Sequence, residues 1–338
     1  MSFKLEEYEN IFIAGAFGMV GSAIKRELIN LGYSENKNNK GKLLCPSKKE
    51  LNLLNYVDLE NWYKLNKPTV VIIAAAKVGG IIANSENPYD FILQNLKIQT
   101  NIIEISWKYN VKKLLFLGSS CIYPKFCKQP IKEEYLLSSN LEETNEFYAI
   151  AKITGIKLCQ SLMMQHKFNT ICLMPTNLYG PGDNYNLRNS HVIPALIRKF
   201  YEAKKSNLEK VICWGSGNPL REFLFVEDLA KACIFLLKNW NPVFNQVDGN
   251  LKDSKCWINV GAEFEVSIKT LAQKISKRIN YQGEIIWDQT KPDGTPRKKL
   301  NTAKINALGW KAQTDLDKGI ELTLASFKKE IQSKRLRF

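Results

Sequence analysis

Gly15-Ala16-Phe17-Gly18-Met19-Val20-Gly21 decides how the first half of this chain is read. An apolar, β-rich run ends just before it, and an amphipathic stretch begins within it. Three glycines at this spacing can be plain turn residues. Between a strand and a helix, however, they leave backbone N–H groups at the positive end of the helix dipole, where an anion can rest. Gly15 permits the tight turn, Gly18 lets backbone approach a phosphate, and Gly21 allows the helix to lie close to the strand. The spacing therefore predicts that Gly15, Ala16, Phe17, Gly18, Met19, Val20 and Gly21 seat a dinucleotide pyrophosphate.

Working outward, apolar runs alternate with amphipathic ones. Strands are expected at residues 10–14, 42–45, 69–75, 113–117 and 170–174, with helices at 19–31, 57–65, 88–109 and 146–167. Pro88 suits a first helical turn, where its missing N–H is not needed. This is the pattern of an α/β protein: a Rossmann-type doubly wound parallel sheet with helices on both faces. Beyond Pro175 the sequence loosens into loops rich in Pro, Gly and Asn, with helices expected at 191–203, 226–239 and 267–279. The expected division is a dinucleotide-binding domain at 1–175, with elements returning near 211–240, and a smaller α/β substrate-binding lobe over most of 176–338. Two polar stretches, 34–41 and 239–255, read as exposed loops.

Composition narrows the function. A chain of 338 residues, 45% hydrophobic and 24% charged, is an ordinary globule able to bury a full core. The longest apolar run, Val70 to Ala76, is far short of the roughly 20 residues needed to span a bilayer. No membrane association and no export are expected. Eight cysteines form no Cys-x-x-Cys pair, which suits a reduced cytoplasm. With only His166 and His191, no metal site is expected. The net charge of +15 comes from scattered lysines and arginines, without an aromatic-interleaved basic stripe, so no nucleic-acid partner is expected.

Cofactor choice is read after the second strand, where an acidic residue would hydrogen-bond the ribose and repel a 2′-phosphate. Here the strand leads into Pro46-Ser47-Lys48-Lys49, and Lys48 points to NADPH. The chemistry is read from Gly118-Ser-Ser-Cys-Ile-Tyr-Pro124 and Tyr148-Ala-Ile-Ala-Lys152. Tyr148 and Lys152 are four apart and share one helical face, so an ammonium can hold the phenol nearer ionisation than its usual pKa of about 10.

Together with Ala74 to Ile82, Met174-Pro-Thr-Asn-Leu-Tyr-Gly-Pro181, Asn189-Ser-His-Val-Ile-Pro194, Trp214-Gly-Ser-Gly217, Arg221-Glu-Phe223 and Lys291-Pro-Asp-Gly-Thr-Pro-Arg297, these runs resemble the GDP-L-fucose synthases. That family consists of extended short-chain dehydrogenase/reductases. The resemblance extends from about Asn10 to Trp310. It implies conversion of GDP-4-keto-6-deoxy-D-mannose to GDP-L-fucose, by epimerisation at C3 and C5 and NADPH-dependent reduction at C4. It also implies a homodimer through the helices at 88–109 and 146–167.

Carried over position by position, the resemblance makes Tyr148 the proton donor at O4, with Lys152 lowering its pKa and holding the nicotinamide ribose. Ser119 would hydrogen-bond near the ketone, Cys121 would be the epimerisation base and His191 the opposing acid. Leu117, Gly118, Ser119, Ser120, Pro175, Thr176, Asn177, Leu178 and His191 would line the cofactor. Lys199, Trp214, Arg221, Asp293 and Lys298 would contact the GDP-sugar.

The assignment is chemically coherent: C3 and C5 both flank the C4 carbonyl, so polarising O4 eases loss of either proton, and inversion needs a base and an acid on opposite faces. Departures are Phe17 and Lys199, each where relatives commonly carry arginine, Phe147 for a proline and Phe225 for a histidine. The alternatives are another nucleotide-sugar epimerase or dehydratase, or a non-catalytic dinucleotide-binding regulator. A dehydratase would carry an acidic pair after the active-site Ser or Thr, where this chain has Cys121 and Ile122. A regulator would have lost Tyr148 or Lys152.

Overall fold

The computed structural model describes residues 5, 8–35, 41–242, 255–291 and 293–337. Most of the two polar stretches expected as loops, and Pro292, lie outside the described residues.

Five short apolar runs and one late arrival build the main sheet. β1 (Ile11–Ala14), β2 (Leu43–Leu44), β3 (Val70–Ile73), β4 (Lys113–Leu117), β5 (Thr170–Pro175) and β10 (Trp257–Val260) lie in the order β10-β5-β4-β3-β1-β2, all parallel. Alternate residues serve opposite faces. Ile11, Ile13, Val70, Ile72, Leu115 and Leu173 pack with α1 (Met19–Asn30) and α7 (Val226–Asn239). Phe12, Val71, Ile73, Leu114, Phe116 and Cys172 pack with α2 (Tyr56–Asn66), α4 (Pro88–Lys108) and α5 (Glu146–His166). Full burial of such side chains contributes about 1.5–3 kcal/mol each, and covering both faces favours the parallel arrangement.

Local chemistry sets the helix ends. The Asn55 side chain accepts from the N–H groups of Val57 and Asp58 at the start of α2, and Pro88 opens α4. Lys113 is fully buried, and its Nζ donates to the carbonyls of Leu237 and Trp240, tying the end of α7 to β4. Burial pulls its pKa down to about 8.

The rest of the chain forms a second core over smaller sheets. β7 (Lys210–Trp214) pairs with β12 (Glu284–Asp288), β6 (Asn177–Tyr179) with β9 (Phe223–Phe225), and β8 (Leu220–Arg221) lies between β11 (Val266–Ser267) and β13 (Arg297–Lys298). α6 (Val192–Lys205), α8 (Ile268–Ile279) and α10 (Leu316–Gln332) close that core around Phe200, Ile275 and Phe327, whereas α3 (Ile81–Glu86) and α9 (Ala303–Ala307) are short connectors. The chain crosses between the two cores more than once: α7 and β10 belong to the main sheet, while β7 belongs to the smaller layer.

Candidate active site

β2 lies on one side of β1 and β3 on the other, so the chain reverses direction across the sheet between β1 and β3. In open parallel sheets a ligand binds in the crevice at the carboxyl ends of the strands flanking such a reversal. Gly15 stands there with φ +88°, and a Cβ added to it would come within 2.7 Å of the Ala75 nitrogen just beyond β3. A Cβ on Gly21 would fall 2.1 Å from the Gly15 carbonyl oxygen, which enforces the close helix-to-strand approach. Gly18 is different, since an added Cβ would meet only Gly15 O, at 3.4 Å. The free space at Gly18 is therefore toward the crevice. The first turn of α1 holds no acidic residue and no side-chain cap, so its N–H groups are available to an anion. A dinucleotide pyrophosphate fits this cradle. Phe17 is exposed, with the Lys25 ammonium 5.5 Å from its ring centre, and Lys48 is exposed beyond β2.

The residues expected to take part in the chemistry gather at the same edge. Leu117 ends β4, and Gly118 N–H donates to Leu173 O, carrying the chain into a turn at Ser120–Ile122. The Ser119 hydroxyl oxygen accepts from the Cys121 N–H at 3.2 Å. Tyr148 and Lys152 rise from α5 beside it. The Lys152 side chain is buried, and its Nζ donates to Leu117 O at 2.8 Å while lying 5.9 Å from the centre of the Tyr148 ring. Burial pulls the Lys152 pKa down to about 8. The Tyr148 ring is half-buried at the cleft, yet desolvation pushes its hydroxyl well above the usual phenol range. Negative charge on Cys121 raises it further, and a hydrogen bond with Ser119 lowers it. The expected lowering by Lys152 is thus not the net effect: desolvation dominates, and the ammonium is directed at a main-chain carbonyl.

Cys121 is partly exposed. Its sulfur accepts from Lys298 Nζ at 3.4 Å and from Asn145 Nδ2 at 3.6 Å. His191 precedes α6 and is exposed; crowding by surrounding protein and the Lys298 charge both lower its pKa. A backbone hydrogen bond from Gly80 N to Asn189 O at 3.0 Å fixes the approach to His191 against the loop after β3. Buried Asn95 holds that loop in turn, accepting from Lys77 N–H and donating to Lys77 O.

The expected sugar-nucleotide contacts lie in the smaller lobe. Lys199 donates to Ile212 O at 3.0 Å and sits 5.3 Å from the centre of the half-exposed Trp214 ring. The Arg221 pKa is lowered by burial and raised back by Asp293, Cys121 and Glu142. Asp293 is engaged internally, accepting from Ser216 N and Oγ at 2.9 and 2.6 Å, so it shapes the Trp214–Gly217 turn. Thr176 and Asn177 direct their side chains to Glu222 O rather than to open space, whereas Pro175 ends β5 and Leu178 lies in β6.

Two polar residues of the site escaped sequence reading. Asn145, just before α5, was legible only as a helix-capping residue type. Glu222 stood inside a quoted run without a role. It is fully buried, and its carboxylate accepts from the N–H groups of Ala262, Glu263 and Leu300 at 2.8–2.9 Å. It thereby locks β13, with Lys298, against β8 and β9. Among the described residues, no group of three or more His, Cys, Asp or Glu side chains is placed to hold a metal ion.

Comparison with known proteins places the chain among relatives. The family model described as NAD dependent epimerase/dehydratase family matches residues 11–247. GDP-L-fucose synthase 1 of Arabidopsis thaliana is 48% identical over 98% of this chain and 97% of its own length. The GDP-L-fucose synthase of Escherichia coli strain K12 is 47% identical over 94% and 96%. The crystal structure of a GDP-L-fucose synthetase from Naegleria fowleri bound to NADP superposes with a TM-score of 0.85 at 27% identity, covering 98% of each chain.

Proposed function

The chain belongs to the NAD dependent epimerase/dehydratase family, and on that premise we propose that it converts GDP-4-keto-6-deoxy-D-mannose to GDP-L-fucose with NADPH. The observation that carries this reading is that a thiol and an imidazole share one cation while a phenol stands beside the thiol. Lys298 donates to Cys121, its charge reaches His191, and Cys121 acts on Tyr148. A simple ketone reductase needs only the phenol. A thiol and an imidazole in addition supply the base and acid that inversion requires.

In this reading the Cys121 thiolate takes the proton from C3 or C5, the C–H bond breaks, and its electron pair moves onto O4. The Tyr148 hydroxyl donates a hydrogen bond to that oxygen. His191, as imidazolium, gives a proton to the same carbon from the opposite face. The thiol then loses its proton to water and the imidazole regains one from water, so charges and protons balance. Bound NADPH supplies the hydride for C4. As C4 accepts it, Tyr148 transfers its proton to O4, and burial keeps that phenol protonated until then. Lys152, released from Leu117 O, can turn toward the ribose and the phenol.

Lys48 is proposed to face the 2′-phosphate. Lys199, Trp214, Arg221 and Lys298 are proposed to face the GDP-sugar, with Asp293 shaping the turn beneath it. A cytoplasmic homodimer through α4 and α5 belongs to the same reading. Those helices pack against one another and expose Tyr89, Trp107, Phe147 and Ile150. Among the described residues, no helix is long and apolar enough to cross a membrane.

The test incubates protein, NADPH and GDP-4-keto-6-deoxy-D-mannose in heavy water. Deuterium at C3 and C5 of the product, abolished in Cys121→Ser, is the expected result. Reduction of the ketone without deuterium at either carbon would make the protein a plain C4 reductase.

A further inference from the structure

We propose that Lys298 is the positioning residue for the epimerisation base: its ammonium holds the Cys121 sulfur as a thiolate, with Asn145 as a second donor, instead of serving only as a cation for the sugar nucleotide. This rests on the function proposed above and goes further, because it ties one specific lysine to one half of the chemistry.

Cys121 lines a small polar cavity with Lys125, Glu142, Asn145, Arg297 and Lys298. Tyr148 faces it from α5, and Arg221 from β8, itself opposed by Asp293 and Glu142. The other cations of the cavity wall are neutralised. Lys125 pairs with Glu142 at 3.2 Å, and Arg297 pairs with Glu265 at 2.7 Å. Among the described residues Lys298 forms no ion pair, and its Nζ donates to sulfur at 3.4 Å.

A neutral thiol is a weak acceptor and needs an acceptor for its own S–H. Two donors converging on one sulfur, one of them charged, suit an anion instead, and charge-assisted hydrogen bonds are roughly twice as strong as neutral ones. The placement is stiff as well: β13 carries Lys298 two residues before Leu300, whose N–H is clamped by buried Glu222. Burial pushes the thiols of the other two partly exposed cysteines, Cys45 and Cys127, up, Cys45 to about 12.

The experiment measures iodoacetamide alkylation of each cysteine by peptide mass spectrometry between pH 6 and 9, in the wild type, Lys298→Met and Lys298→Arg. Thermal unfolding checks that each variant is folded, and calorimetry gives the GDP affinity. In the wild type Cys121 is expected to react fastest, with Cys45 and Cys127 as internal controls. Lys298→Met should slow Cys121 at pH 7 by at least about tenfold, as expected when a thiolate loses its cation, and should slow deuterium entry at C3 and C5 to match. Lys298→Arg should restore most of both rates. An alkylation profile unchanged in Lys298→Met, with GDP affinity lost, overturns the proposal and leaves the lysine as a substrate cation. If alkylation depends on Lys298 but no deuterium enters the sugar even in the wild type, the Lys298–Cys121 pairing stands and the proposed reaction is what fails.

Discussion

Lys152 Nζ lies 2.8 Å from the carbonyl oxygen of Leu117, and Tyr148, one turn earlier on α5, receives no hydrogen bond from it. The Lys152 ammonium thus rests on the last carbonyl of β4, and its pKa, pulled down to about 8 by burial, leaves it part neutral in mildly alkaline solution. A ribose hydroxyl or an anionic oxygen arriving at the crevice gives that ammonium a better partner than a main-chain carbonyl.

Removing the phenol should therefore cost both halves of the reaction. Tyr148→Phe is expected to lower the rate of NADPH oxidation by about 10²–10⁴-fold, the usual worth of a positioned proton donor, and to slow deuterium entry at C3 and C5 as well. Stopped-flow absorbance at 340 nm and product mass together check this. A variant within about threefold of the wild type in both would remove Tyr148 from the mechanism.

The glycine loop separates folding from binding. Gly21→Ala puts a Cβ against the Gly15 carbonyl and Ala16, both main chain, so a clear drop in melting temperature is expected. Gly18→Ala meets only ordinary contact within the protein, so it should fold with a melting temperature near the wild-type value while NADPH affinity, read by fluorescence, falls about tenfold or more. Undiminished affinity in Gly18→Ala would place the pyrophosphate elsewhere.

Asp183 gives a pH signature of stability. It is buried, and its carboxyl is raised from 3.8 to about 7 by desolvation, with Asn184 N–H and Arg337 pulling down and Glu330 pushing up. A raised folded-state pKa means that the stabilising contribution is full below the unfolded pKa and is lost as pH rises through 7. Asp183→Asn should flatten the pH dependence of urea unfolding between pH 4 and 7 and be relatively more stable at pH 8. An unchanged slope would show that the group does not titrate in this window.

Glu222 should be chiefly structural. Glu222→Ala leaves three main-chain N–H groups without an acceptor, those of Ala262 and Leu300 buried, and is expected to cost on the order of 3 kcal/mol in urea unfolding. It should also loosen β13, so that Cys121 alkylation slows at pH 7 even where the variant is fully folded. Loss of stability with Cys121 reactivity intact would separate the clamp from the site.

Resolving these effects depends on features that were unequally legible. Local pattern was enough for five of the six strands of the main sheet and for α1, α2, α4, α5 and α7, because apolar alternation and an end signal such as Pro88 act within a few residues of themselves; β10, a four-residue run that joins the sheet from far along the chain, was not read. The glycine turn was legible for the same reason, since Gly15 to Gly21 combines a tight turn and close helix packing in seven consecutive positions. In the smaller lobe α6 and α8 were legible from their periodicity, whereas β6, β8, β11 and β13 are two or three residues long and exist only because distant segments meet. Asn145 and Glu222 escaped for that reason too, since neither side chain's partners lie near it in sequence.

By itself, then, the order of residues determined a doubly wound sheet, a tight glycine turn between β1 and α1, and a helix presenting Tyr148 and Lys152 on one face. Those outcomes depend on periodicity and backbone freedom, which short segments carry alone. Only the tertiary structure decided that Lys152 rests on Leu117 and that Asp293 braces Ser216. It alone brought Lys298, 177 positions away, onto the sulfur of Cys121. Hydrogen bonds and charges act through space over a few ångströms, and distance along the chain says nothing about which of them will form.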